Sequence, residues 1–303
     1  MKGSPHGWPR LVLAFALAFL QITLGRAQPA LAAPGDLIAD VIVPEAAALW
    51  VRGISPSVGF DGRYLYYTDY MGSVLHRIDA PPPGAAVVGT GHVDFPIVGA
   101  PSGIMTLSYD GGRGMFWAMG GDGLSVYQLS KTGSATLQFQ IEPLGDRPGY
   151  RCSGQYCAET KLNYDRADDT IWYTPDTVTR IWHYQTYPDA LGTAVLVAAT
   201  PYIDVDIAPN DMGAQCAGGN GSSGVATGGA HLFITQGGCG YYFEYTKTGT
   251  KVAWHPYVGS SAQDLECDNV SYSVSVIWIR DAWDGHIRAF EQVAANACVF
   301  GGG

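Results

Sequence analysis

The chain has 303 residues, with 17 basic against 27 acidic side chains and a formal charge of −10. Such a charge repels phosphate backbones, and with no basic cluster anywhere nucleic-acid binding has no electrostatic footing. After the N-terminal segment no apolar run approaches the roughly 20 residues needed to span a bilayer, so no membrane partner is expected of the mature protein.

The chain starts with Lys2 and Arg10, continues as the apolar run Leu11 to Leu24, and reaches small residues at Gly25-Arg26-Ala27 and Ala30-Leu31-Ala32. This is the pattern of a secretory signal peptide, and a run of about 14 residues is too short for a membrane anchor. We expect residues 1–32 to be the signal, with cleavage between Ala27 and Ala32. Residues 33–303 then form one mature domain, secreted to the extracellular space or the periplasm. Losing Lys2, Arg10 and Arg26 but no acid leaves 14 basic against 27 acidic residues, near −13.

The first strand-like segment, Leu37 to Val43, has no hairpin partner nearby. After it comes a unit with its own grammar: Ser57 to Phe60, a turn at Asp61-Gly62-Arg63, Tyr64 to Thr68, a turn at Asp69 to Gly72, and Ser73 to Ile78. Short β-branched and aromatic runs punctuated by Gly and Asp read as strands and hairpin turns. The segment Leu65-Tyr66-Tyr67-Thr68 returns as Met115-Phe116-Trp117-Ala118, Ile171-Trp172-Tyr173-Thr174, Leu232-Phe233-Ile234-Thr235 and Ile277-Trp278-Ile279-Arg280. A following strand returns at Leu124 to Leu129, Arg180 to Gln185, Tyr241 to Tyr245 and His286 to Glu291. Repeats of this length with strand-forming residues in every copy are the mark of a β-propeller.

The spacings of 50, 56, 61 and 45 residues give five units, so we expect an all-β, single, five-bladed β-propeller. Six blades is the alternative. Only Val293 to Gly303 follow the last hairpin, so Leu37 to Val43 is expected to complete the last blade and close the ring, removing an open sheet edge. The repeated aromatics Tyr66, Phe116, Trp172, Phe233 and Trp278 are expected to pack between blades.

The phrase Tyr64-Leu65-Tyr66-Tyr67-Thr68-Asp69 with Gly72 to Asp79, together with Asp169 to Gln185 and Val276 to Glu291, resembles the YWTD, NHL and gluconolactonase-type propeller repeats. The resemblance covers roughly residues 45–292. Those relatives are mostly six-bladed, and five copies depart from that number.

Six cysteines in an exported chain, none in a zinc-ligand spacing, favour disulfides. Sequence proximity and the repeat map favour Cys152–Cys157, Cys216–Cys239 and Cys267–Cys298.

In a propeller the innermost strands line the axis, and the loops entering them form one working end. Two such loops are long: Gly145 to Ala158, with Tyr150, Arg151 and Tyr156, and Pro201 to Ser223, with Tyr202, Asp204 and Asp206. Tyr257 lies beside another. These tyrosines and Arg151 are candidate ligand contacts. Along the innermost strands, Ser57, Thr106, Lys161, Gly224 and Asp264 share one row, and Gly59, Ser108, Asn163, Ala226 and Glu266 the next. Glu159 stands nearer the entrance.

Charged groups on a narrow axis need partners. In one reading Lys161 bridges Asp264 and Glu266. In another a divalent cation, calcium by its oxygen ligands, is held by Glu159, Asn163 and Asp264. Gluconolactonase-type propellers bind a divalent metal through a Glu, an Asn and an Asp, and Glu159, Asn163 and Asp264 match those residue types without a local motif to fix the correspondence. The Asp204 and Asp206 loop is a second calcium candidate. His76 and His183 align in the third strand and read as solvent-facing. His92, His231, His255 and His286 show no partner in sequence.

Two functions follow. The chain is a secreted binding module for a protein, glycan or small ligand, using its loop-rich face and residues such as Lys161 and Glu266. Alternatively it is a metal-dependent hydrolase, lactonase or lyase, with Glu159 and Asp264 assisting proton transfer. No nucleophile elbow or phosphate-binding motif decides between a binder and an enzyme.

Overall fold

Strand-forming runs separated by Gly and Asp turns give antiparallel meanders. The computed structural model, which describes residues 33–49, 57–142, 159–216 and 221–293, arranges them as five sheets. Blade I is Gly59–Phe60, Tyr64–Tyr67, Val74–Asp79 and Val93–Pro96. Blade II is Ile104–Asp110, Met115–Gly120, Ser125–Leu129 and Ala135–Gln140. Blade III is Thr160–Asp165, Thr170–Pro175, Arg180–Pro188 and Ala194–Leu196, with Tyr202–Asp204 also on its third strand. Blade IV is Gly224–Gly228, His231–Thr235, Tyr241–Thr246 and Lys251–Pro256. Blade V begins with Ala262–Asp268, Val276–Asp281 and His286–Glu291.

The first strand of each blade packs against the first strands of both neighbouring blades, blade V against blade I included, so the ring closes as a five-bladed propeller. At Gly224 only glycine fits, because a Cβ would stand 1.8 Å from the Gln263 carbonyl oxygen of blade V. These residues belong to one compact unit, Ala33–Gly303.

Closure follows the sequence expectation. Leu37–Ile42 pairs antiparallel with His286–Glu291 as the fourth strand of blade V. Val87–Val88, from the long connection within blade I, then adds in parallel to the far side of that strand. The last blade is therefore completed by the N-terminal segment and overlapped by the first blade, which removes an open edge and locks the ring.

Among the described residues the core divides into five apolar clusters, one at each blade interface. Tyr67 and Trp278 share the cluster between blades I and V, Tyr66 and Phe116 that between I and II, and Trp117 and Tyr173 that between II and III. Trp172 and Phe243 share the cluster between III and IV, and Tyr242 and Phe290 that between IV and V. Burying each such ring contributes about 2–3 kcal/mol of transfer free energy.

The turn aspartates have a task that their turn position alone does not reveal. Trp117, Trp172 and Trp278 donate their indole N–H to Asp110, Asp165 and Asp268 at 3.3, 3.1 and 2.9 Å. In blade I the Tyr66 hydroxyl does the same to Asp61 at 3.3 Å. Blade IV has Gly228-Gly229 and Phe233 at these places, and so neither partner.

Strand register corrects two alignments. Residues opposite the second axial row are Tyr66, Trp117, Trp172, Phe233 and Trp278, so Trp117 and not Phe116 is the repeated aromatic of blade II. His76 pairs with Tyr67, whereas His183 pairs with Trp172, and the blade I equivalent of His183 is Arg77. For Phe116 the cause is that a wholly apolar stretch such as Met115-Phe116-Trp117-Ala118 carries no alternation to set its phase. Nor are these histidines solvent-facing. His76 is 6% and His183 4% exposed, and His183 lies flat on Trp172 with ring centroids 3.9 Å apart.

Cys216–Cys239 is formed as expected. Cys267 is disulfide-bonded, while its expected partner Cys298 and the pair Cys152–Cys157 lie outside the described residues. Among the described residues no helix is long and apolar enough to cross a membrane.

Candidate functional site at the axis

All polar members of the two axial rows are buried. The lower row is a set of staples between blades. Asn163 of blade III accepts the Thr227 N–H and hydroxyl of blade IV at 2.8 and 2.9 Å and donates to the Leu265 carbonyl of blade V at 3.4 Å. Ser108 of blade II accepts the Tyr164 N–H of blade III at 3.0 Å. Glu266 of blade V accepts the Tyr109 N–H at 3.3 Å and the Cys267 N–H at 3.0 Å. Burial pushes the Glu266 carboxyl up to about 8.

The upper row is different. Asp264 crosses the axis to accept the Val58 N–H of blade I at 3.0 Å and the Thr106 hydroxyl of blade II at 2.8 Å, both on Oδ2. Its Oδ1 is buried with no hydrogen-bond partner among the described residues, and so is Lys161 Nζ. Both side chains are fully buried. Burial raises Asp264 to about 7 and lowers Lys161 to about 8, while their opposite charges partly offset it. They attract each other without closing into a hydrogen-bonded pair, and Glu266 is engaged elsewhere, so Lys161 is not a bridge between the two acids.

Above this pair, where the innermost strands begin, stand Glu159 and Asp176. Burial raises the Glu159 carboxyl, and the Asp176 carboxylate raises it further. Burial likewise raises Asp176, which accepts the Ser223 hydroxyl at 2.6 Å. Tyr70 of blade I lies within the field of Glu159. Sequence reasoning missed Asp176, although its place at the end of a second strand, next to the entrance, was a usable signal.

The other candidates are dispersed. Asn163 has spent its amide oxygen on Thr227 and is no free ligand. Glu159, Asp176 and Asp264 do not bring three carboxylate oxygens close enough to share one ion among the described residues. Asp204 pairs with Arg180 at 3.2 Å, and it does not gather with Asp206 into a metal set. Tyr202 sits on the outer part of blade III, against Trp182, with Arg180 over its ring. Tyr257 is buried and gives its hydroxyl to Asp281 at 2.9 Å. Tyr150, Arg151 and Tyr156 lie outside the described residues.

No protein-family model and no curated protein matches the chain in sequence. Similar solved structures include virginiamycin B lyase from Staphylococcus aureus, 12% identical with a TM-score of 0.40 over 76% of this chain and 63% of that one. The nidogen/laminin complex is 11% identical with a TM-score of 0.42, over 76% of this chain and 73% of that one. Glutaminyl cyclase from Myxococcus xanthus is 12% identical with a TM-score of 0.48, over 84% and 94%. The matched region spans less than two thirds of the lyase. Such likeness transfers neither an activity nor a site, and the propeller assignment rests on the chain's own five sheets.

Proposed function

We propose that the protein is an exported binding propeller that holds a small polar ligand, or the polar end of a glycan, at the entrance to its axis. The observation that carries this reading is the pair of buried, unpartnered atoms, Lys161 Nζ and Asp264 Oδ1, beneath Glu159 and Asp176. A buried donor and a buried acceptor left open each cost free energy that a ligand offering both functions recovers. Three carboxyl groups around one ammonium disfavour an anion, so the fitting chemistry is a neutral polyhydroxy group. Export is supported by the N-terminal signal pattern and by the Cys216–Cys239 disulfide.

A hydrolase or lyase on a sugar-like substrate is the second reading. It draws on Lys161 brought down to about 8 by burial, a shift that suits proton transfer near neutral pH, with the Glu159 carboxyl raised by burial near it.

Screening the full mature chain against neutral oligosaccharides by calorimetry tests both. Wild type should bind, and Lys161→Met should bind at least tenfold more weakly while keeping its fold by circular dichroism. Equal binding by the variant, or none by wild type, removes the axial-ligand reading, and turnover of the bound sugar would favour the enzyme.

A further inference from the structure

Four side chains from three separate stretches of the sequence meet at the seam where the ring closes. His76 lies on the third strand of blade I, Asp94 on its outermost strand, and His92 just before that strand. Glu45 lies on the short helix Pro44–Leu49 that follows the closing strand. His76 Nδ1 is 2.8 Å from Asp94 Oδ1 and 3.2 Å from Glu45 Oε1. His92 Nε2 is 2.9 Å and 2.8 Å from the same two oxygens. All four atoms lie within 4.8 Å of one another. We propose that Glu45, His76, His92 and Asp94 form a four-coordinate site for a divalent transition-metal ion of the zinc type, which ties the N-terminal segment to blade I.

The geometry favours a cation over a hydrogen-bonded ring. An imidazole nitrogen carries either one proton or one lone pair. Here each nitrogen faces two oxygens and each oxygen two nitrogens, so two protons leave half of the four approaches unmade. A central cation satisfies all four atoms together. Tetrahedral ligands about 2.0–2.1 Å from zinc stand about 3.3 Å apart, and the four N···O edges here are 2.8–3.2 Å. Two imidazoles with two carboxylates suit zinc, whereas calcium takes six to eight oxygens.

The surroundings hold these ligands in place. The Tyr67 hydroxyl donates to Glu45 Oε2 at 2.7 Å, leaving Oε1 to face the histidines. Tyr67, His76 and His92 stack in succession at 4.8 and 5.7 Å, which fixes both imidazole planes. Such outer contacts orient metal ligands and sharpen affinity. His76 is buried, while the side chains of His92 and Asp94 are 31% and 53% exposed, so an ion can enter. Glu45 follows Leu37–Ile42, the strand that completes blade V, so a bound ion clamps the seam.

The test uses the full mature chain, stripped with a chelator and titrated with Co²⁺ and then Zn²⁺. One equivalent of Co²⁺ should give the visible absorption of a four-coordinate site, Zn²⁺ should displace it, and Zn²⁺ should raise Tm by several degrees. His92→Gln and Asp94→Asn should each lose the band and the Tm shift. His231→Gln, which touches the separate His231–Glu244 pair, should keep both. Absence of the band in folded wild type overturns the proposal, and so does its retention in the seam variants. Because His92 and Asp94 are both partly exposed, either variant alone suffices for the comparison if the other folds poorly.

Discussion

The axis and the closing seam both set carboxyl groups against basic side chains, yet they leave them in different states. At the seam each histidine nitrogen has two carboxylate oxygens within 3.2 Å, and a tyrosine orients one of the acids. At the axis the ammonium of Lys161 and one oxygen of Asp264 stay apart and buried. Charge burial alone therefore does not mark a site. What distinguishes the two regions is whether the polar atoms converge on one point or face one another across a gap, and this sets the kind of ligand each can hold.

The contrast breaks most directly at Asp264. Replacing it by Ala leaves the Val58 N–H, the Thr106 hydroxyl and the Lys161 charge without their acid. The expected loss is about 3–5 kcal/mol in urea unfolding. A loss under about 1 kcal/mol would mean that the axis is wetter than its burial implies.

Glu266 sharpens the comparison through pH. Its carboxyl is raised from 4.5 to about 8 by burial. Between those values the unfolded chain has released a proton that the folded chain keeps, so fewer protons are bound on unfolding and stability falls as pH rises. Its stabilising contribution is full below about 4.5 and is lost by about 8. Glu266→Gln should flatten the fall in unfolding free energy between pH 5 and pH 8, and an unchanged slope would place the titration elsewhere.

At the seam, Tyr67→Phe removes the hydrogen bond to Glu45 while keeping the stacked ring. Stability should drop by about 1 kcal/mol, and Co²⁺ affinity by about tenfold, in line with loss of an orienting contact. Unchanged metal affinity would show that Glu45 needs no support. The smallest effect is expected at Asp169, a largely exposed partner of Arg113 at 2.8 Å between blades II and III. Asp169→Asn should cost about 0.5 kcal/mol in the same urea assay, as an open ion pair does. A larger loss would mean that blade interfaces depend on surface charge, contrary to the contrast between axis and seam.

Much of the axis could be read in advance. The alternation along the innermost strands placed Lys161 with Asp264 and Asn163 with Glu266. Register pairs Asn163 and Glu266 with the equivalent Trp172 and Trp278, whereas a register shift between Ala262 and Leu265 leaves Asp264 without a strand partner. The slip at Met115-Phe116-Trp117 came where every residue is apolar, so nothing in the pattern fixed the face. The seam was hidden for another reason. Glu45 and His76 are 31 positions apart and belong to different blades, and no local spacing announces such a meeting.

The sequence by itself determined the repeat, the five blades and the closure by Leu37–Ile42. Strand alternation, turn residues and copy number are local properties that survive without knowledge of contacts. Only the tertiary structure decided that Lys161 and Asp264 remain unjoined, that Asp176 stands beside Glu159, and that two histidines and two acids meet at the seam. Those outcomes depend on ångström-scale distances between blades, which the packing of aromatic rings at each interface sets and no linear spacing encodes.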